Sequence, residues 1–83
     1  MYTSLDFTVA ILAAHGELAA TIDATIEAED RYNTILKAEG VEAADEAMAA
    51  EVSRLQRKAE ALRRLIPTLE AALKQTEEVE GLS

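Results

Sequence analysis

The chain has 83 residues, no cysteine and a formal net charge of −8 at pH 7. This length leaves room for one domain with a small core, and the missing cysteines exclude disulfides and thiolate metal sites. The negative charge disfavours direct binding to nucleic acid or to anionic membranes. Three glycines, one proline and few aromatic residues are typical of a helix-forming chain, so we expect residues 1–83 to form a single all-α domain.

The first predicted helix spans about residues 4–38. Thr3 and Asp6 have the spacing of a capping box, which satisfies the free amides at the start of a helix. Lys37 suits the carbonyl end of the helix dipole, and Gly40 can adopt the left-handed conformation that closes a helix. We therefore expect a turn at about residues 39–41.

The second predicted helix spans about residues 42–79 and is followed by a frayed acidic tail at 80–83. Acidic residues crowd its first turn, where free amides favour negative charge. Its apolar residues recur at alternating intervals of four and three, which predicts a coiled-coil seam. The seam consists of Met48, Val52, Leu55, Ala59, Leu62, Ile66, Leu69, Leu73 and Thr76.

The first helix is apolar on a broad surface. One row of residues at intervals of seven is Leu5, Leu12, Ala19 and Ile26, and another is Ile11, Leu18, Thr25 and Tyr32, with Ile22 between them. A helix with one neighbour needs only a narrow apolar stripe. We therefore expect the first helix to contact the second helix and also something beyond it, such as a second copy of the chain. The predicted interface residues are Leu5, Ile11, Leu12, Leu18, Ile22, Ile26, Tyr32, Val52, Leu55, Leu62, Ile66, Leu69 and Leu73.

The two predicted helices have similar lengths and complementary charge. The first 53 residues contain eleven acidic and two basic residues, whereas residues 54–74 contain two acidic and six basic residues. An antiparallel hairpin closed at Gly40 would place residues side by side when their numbers sum to about 80. The predicted ion pairs join Asp23 and Glu27 to Arg54 and Arg57, and Glu17 to Arg63 and Arg64. We expect this hairpin to dimerise into a four-helix bundle or coiled-coil assembly.

Two helix breakers fall inside the predicted helices. Gly16 weakens helix formation, and Pro67 removes an amide donor and collides with the preceding turn. They lie at nearly the same height of the hairpin. We expect a kink at each, because the coiled-coil seam passes Pro67 without losing phase, although the pattern also allows the helix to end there.

We find no pattern of residues that would support catalysis or hold a cofactor or metal ion. His15 has apolar neighbours one turn away, which indicates a core or interface histidine. The acidic face formed by Asp23, Glu27, Glu29 and Asp30 lacks the Glu-x-x-His motif of di-iron bundles, so we interpret it as a solvated or salt-bridged surface. The basic run from Arg54 to Arg64 has no interleaved aromatic residues and is expected to pair with the acidic helix.

These observations favour a non-enzymatic, cytoplasmic protein. Its first expected function is protein–protein interaction, with itself and with an unidentified protein. One alternative is a small acidic inhibitor, like those encoded by phages, that obstructs a basic nucleic-acid-binding surface of a host defence protein. Another is a helical chaperone or assembly factor. The longest apolar run, residues 9–14, is too short to cross a bilayer, so no membrane contact is expected.

Overall fold

The computed structural model describes residues 1–82, which are helical from Ser4 onward except at Gly40. Helix α1 is Ser4–Glu39, α2 is Val41–Ala44, a π-helical turn is Asp45–Ala49, and α3 is Ala50–Leu82. These 82 residues contain no strand, so the predicted all-α class is confirmed.

Helix α1 begins at the capping box that the sequence predicts. The Asp6 amide donates a hydrogen bond to the Thr3 hydroxyl at 3.3 Å, and the Thr3 amide donates one to the Asp6 carboxylate at 2.8 Å. The helix ends one residue later than expected, at Glu39. Gly40 follows with a φ of 95° and donates its amide to the Leu36 carbonyl at 3.0 Å. One glycine therefore makes the turn for which three residues were expected.

The π-helical turn changes which side of the second helical segment faces α1. Stepping back by three from Met48 would continue the seam to Asp45, but the structure exposes Asp45 and buries Ala44 completely. A π turn contains more residues than an α turn, so it shifts the phase of the helix. The shift brings a small apolar residue to α1 and leaves a carboxylate in solvent.

Both helix breakers lie inside unbroken helices. Helix α1 continues through Gly16, and α3 continues through Pro67, so the proline does not end its helix. Helix α3 also extends past the predicted boundary at residue 79, and Glu80 and Gly81 are helical rather than frayed. The Glu80 carboxylate accepts a hydrogen bond from the Ser4 amide at 3.0 Å, which ties this last turn to the start of α1. The predicted tail also includes Leu82, which ends α3, and Ser83, which lies outside the described residues.

Helices α1 and α3 pack side by side in a rod of 64 × 15 × 14 Å. Four polar contacts between the two helical segments mark their register, and the residue numbers in each contact sum to between 75 and 85. They join Ser4 to Glu80, Glu17 to Lys58, Glu29 to Gln56, and Tyr32 to Asp45. Within residues 1–82, each of the two long helices therefore packs along one other long helix.

The core is thin because two helices enclose little volume. Its main cluster lies near the turn, where Met48 and Leu55 pack around Ala28. The buried side chains are mostly small: Ala14, Thr21, Ala28, Ala44, Met48, Leu55, Ala59 and Ile66. The chain exposes 6012 Å². A globular protein of 9.0 kDa is expected to expose about 4,900 Å², so this rod leaves roughly 1,100 Å² more in solvent.

Candidate interaction surface

The predicted seam residues form the apolar surface that α3 and the preceding π-helical turn present to α1. Met48, Leu55, Ala59 and Ile66 are buried. The remaining seam residues are half-buried: Val52, Leu62, Leu69, Leu73 and Thr76. Leucine, isoleucine and valine side chains standing on one side of a helix bury most apolar area when a second helix covers them. Contact with α1 thus uses the strongest apolar signal in the sequence.

The inner side of α1 combines one predicted row with one that the sequence interpretation missed. Ile11, Leu18, Thr25 and Tyr32 are half-buried, as is Ile22. Beside them runs a second row at intervals of seven: Phe7, Ala14, Thr21, Ala28 and Ile35. Its three central residues, Ala14, Thr21 and Ala28, are buried. The sequence gives little sign of this, because alanines are common throughout the chain and Thr21 is polar. The Thr21 hydroxyl donates to the Glu17 carbonyl at 2.7 Å, so its burial leaves no donor unsatisfied.

The other predicted row of α1 faces away from α3. Leu5, Leu12 and Ile26 are 69%, 67% and 53% exposed, and Val9 is 59% exposed. We call the residues of this surface the outer stripe. They recur at alternating intervals of four and three, and they are Leu5, Val9, Leu12, Gly16, Ala19, Asp23 and Ile26.

The outer stripe lies almost opposite the seam on α1. At 3.5 residues per turn, the centres of the two surfaces are about 150° apart around the helix. No part of residues 1–82 covers the stripe, because α3 occupies the other side of α1. Beyond Ile26 the same side of the helix continues with Asp30 and Asn33, so the apolar residues of the stripe lie between residues 5 and 26, where Asp23 is the one charged position. An exposed apolar surface of this length is typical of an interaction site.

The charged contacts between the helices differ in detail from those predicted. Glu17 pairs with Lys58 at 3.1 Å rather than with Arg63 or Arg64. Both side chains in this pair are about half exposed, so it contributes little to stability. Within residues 1–82, Asp23 and Glu27 form no ion pair with Arg54 or Arg57. These four side chains point into solvent on the outer sides of their helices, which corrects the predicted pairing.

The predicted acidic face is exposed along its whole length. Asp23, Glu27, Glu29 and Asp30 all lie in solvent, and Glu29 accepts a hydrogen bond from the Gln56 amide at 3.3 Å. In the described residues no three acidic or histidine side chains are grouped to hold a metal ion. His15 is exposed beside the outer stripe, so it is not a core residue of the chain.

Helix α1 is long and apolar enough to cross a membrane by length and composition alone. Its most apolar window of 18 residues has a mean hydropathy of 1.4, and 11% of that window is buried. The uninterrupted apolar run at residues 9–14 is shorter than a bilayer requires, whereas the window of 18 residues also includes polar side chains. The buried core helix of a soluble protein and a signal sequence near the N-terminus satisfy the same criterion.

No family model matches this chain, and neither curated proteins nor solved structures provide a similar one.

Proposed function

We propose that this protein is a non-enzymatic protein–protein interaction module. It acts as an antiparallel helical hairpin that associates with a second copy, in a four-helix bundle or coiled-coil assembly, and through that assembly serves a further protein. The observation that carries the proposal is the outer stripe, an apolar surface on the side of α1 that α3 leaves open.

The thin core supports the same proposal. A chain of this size buries a small fraction of its surface, and most of the side chains buried here are no larger than threonine. The surface left in solvent, roughly 1,100 Å² beyond the globular expectation, compares with about 800 Å² per partner in an ordinary protein interface. Covering part of it would supply apolar burial that the isolated rod lacks.

The proposal includes the bend expected at Gly16 and Pro67, because a bend would let α1 follow a partner helix. It also includes a cytoplasmic location. We attribute the apolar outer side of α1 to a protein partner and not to a membrane. The inner side of α1 packs against α3, and residues 54–74 of α3 carry six basic and two acidic side chains. Inserting α1 in lipid while it contacts α3 would bring those charges towards the bilayer.

Sedimentation equilibrium of the full chain tests this function. The wild-type protein should have a mass above 9.0 kDa at tens of micromolar. Leu12→Lys places a charge in the outer stripe and should yield monomers, because an interface would have to bury that charge. Leu65→Lys is the matched control, since Leu65 is 46% exposed on α3 and lies outside the stripe. A wild-type monomer at every concentration would contradict the homo-oligomer, and equal effects of both variants would contradict the assignment to the stripe.

A further inference from the structure

We infer that the outer stripe is covered by the outer stripe of a second copy, and that the two α1 helices cross antiparallel at Gly16. This inference rests on the proposed function and adds the partner, the orientation and the crossing point. A twofold axis at Gly16 would make the interface isologous, the commonest arrangement in homodimers.

The positions of large and small residues in the stripe favour this crossing. The stripe runs from Leu5 to Ile26, and Gly16 lies at its midpoint. Antiparallel pairing about Gly16 reverses the order of the stripe positions, so that Leu5 lies within one residue of the level of Ile26 of the other copy and Leu12 within one residue of the level of its Ala19. Large side chains thus meet at the two ends, while the backbones approach most closely where no side chain intervenes.

Gly16 has no role within its own chain that requires a glycine. A Cβ atom added there would have no non-local atom within 4 Å, and its φ is not positive. A glycine in the middle of a helix lowers helix stability by about 1 kcal/mol relative to alanine. The glycine thus costs helix stability, although the space beside it in the isolated chain is open. We attribute it to the close approach of a helix from outside the chain, since packed helices have axes 8–10 Å apart.

The charges determine the orientation. In a parallel pair in register, Asp23 of one copy would face Asp23 of the other across the interface. Glu27 and Asp30 of both copies would also lie together at that end of the pair. Like charges at facing positions of a coiled coil are destabilising. In the antiparallel pair Asp23 lies opposite the Val9 position of the other copy, and the acidic turns of the two copies lie at opposite ends.

Disulfide trapping tests the orientation, since the natural chain has no cysteine. Leu5→Cys, labelled with ¹⁵N, is mixed with unlabelled Ile26→Cys and oxidised, and the products are identified by mass. The antiparallel pair should give mainly the mixed 5–26 product, because two cysteines at position 5 would lie about 33 Å apart along the axis. Efficient coupling of Leu5→Cys to itself would overturn the orientation.

Substitution of Gly16 tests the crossing point. Gly16→Leu should keep or raise the helix content measured by circular dichroism, since the space around Gly16 is open. It should weaken dimerisation about tenfold or more, because a large side chain would separate the two helices. Gly16→Ala should also weaken dimerisation. A Gly16→Leu dimer as tight as the wild type would overturn the crossing at Gly16 and leave the interaction module intact.

A third measurement separates this inference from the proposed function. Wild-type protein is floated with phosphatidylcholine vesicles and, in parallel, sedimented without lipid. We expect a dimer that stays in the aqueous fraction. A monomer that floats with the vesicles would assign the stripe to lipid and overturn both proposals, whereas a dimer that forms the wrong disulfides would overturn only the antiparallel crossing.

Discussion

The Tyr32 hydroxyl lies 2.6 Å from a carboxylate oxygen of Asp45 and donates a hydrogen bond to it. This contact joins α1 to the first residue of the π-helical turn, on the outside of the main core cluster. If residues 45–49 were α-helical instead of π-helical, the side chain at position 45 would point towards α1. The wider turn leaves the carboxylate in solvent, where the phenol can reach it, and it places Ala44 against α1 instead.

The first prediction concerns the ionisation of Tyr32. The hydrogen bond to Asp45 raises the pKa of Tyr32 above the ordinary value of 10.0, and partial desolvation and the negative charge of Asp45 act in the same direction. In a Tyr2→Phe background Tyr32 is the single tyrosine, and its titration can be followed by absorbance near 295 nm. Asp45→Ala should return the pKa of Tyr32 towards its ordinary value.

The same contact predicts how stability varies in alkali. Because the folded-state pKa of Tyr32 is raised, its stabilising contribution is present below pH 10 and is lost as the pH rises through the folded-state value. Tyr32→Phe should therefore remove part of the stability difference between pH 8 and alkaline solution. Thermal unfolding at several pH values measures this. An unchanged pH profile would show that the hydrogen bond does not form in solution.

Acid should open the contact between the two ends of the rod. Two hydrogen bonds from Ser4 hold the pKa of Glu80 below the ordinary value of 4.5. The bond from the Ser4 hydroxyl has the larger effect, and the bond from the Ser4 backbone amide adds to it. The stabilisation is therefore present above that value and is lost as the pH falls through the folded-state pKa of Glu80. The protection factor of the Ser4 amide, which NMR gives by comparing its exchange rate with the intrinsic rate at each pH, should fall as the pH drops from 7 through that range.

Two variants isolate this effect. Glu80→Gln removes the charge and should speed exchange at the Ser4 amide already at neutral pH. Glu78→Gln makes the same chemical change at an exposed position nearby and should leave exchange at Ser4 unaltered. Identical behaviour of the two variants would indicate that Glu80 does not cap α1.

The sequence carries enough information to predict the helices but not which side of α1 meets α3. The start at Thr3 and the seam on α3 follow from local hydrogen bonding and from the spacing of large apolar residues. On α1, however, apolar residues lie on two nearly opposite sides. Both sides carry large apolar residues, and the structure packs the side that contains Ala14 and Ala28 against α3.

Packing explains that choice. Helix α3 contributes the large residues of the seam, such as Leu55 and Ile66, and these fit against alanines because small residues let two helices approach closely. This depends on both helices together, so the pattern of one helix cannot reveal it. The π turn was unpredictable for the same reason, because its extra residue is favoured by the contacts of Ala44 and Tyr32 across the connection.

The seam predicts unequal costs for two leucine truncations on α3. Leu55 is 7% exposed within the main core cluster, whereas Leu65 is 46% exposed. Leu55→Ala should lower the free energy of unfolding by about 2–4 kcal/mol through lost burial and the cavity left behind. Leu65→Ala should cost less than about 1 kcal/mol. Urea unfolding at one fixed protein concentration measures both, since association would contribute equally to each. Similar losses would mean that Leu55 does not lie in the core.

The last prediction concerns the turn. Gly40 has a φ of 95° and a ψ of 176°, a backbone conformation that L-amino acids with a side chain rarely adopt. Gly40→Ala should lower the free energy of unfolding by about 1–3 kcal/mol. The cause must be backbone strain, because a Cβ at this position would have no non-local atom within 4 Å.

A matched pair of variants separates strain from any other effect of the substitution. Gly81→Ala makes the same change in a helical turn that is equally open, and it should be neutral or stabilising by up to about 1 kcal/mol. D-alanine at position 40, introduced by chemical synthesis, favours positive φ and should keep the wild-type stability in urea unfolding. If L-alanine and D-alanine at position 40 were equally destabilising, the turn would not depend on the left-handed conformation of Gly40, and the return of α3 along α1 would need another cause.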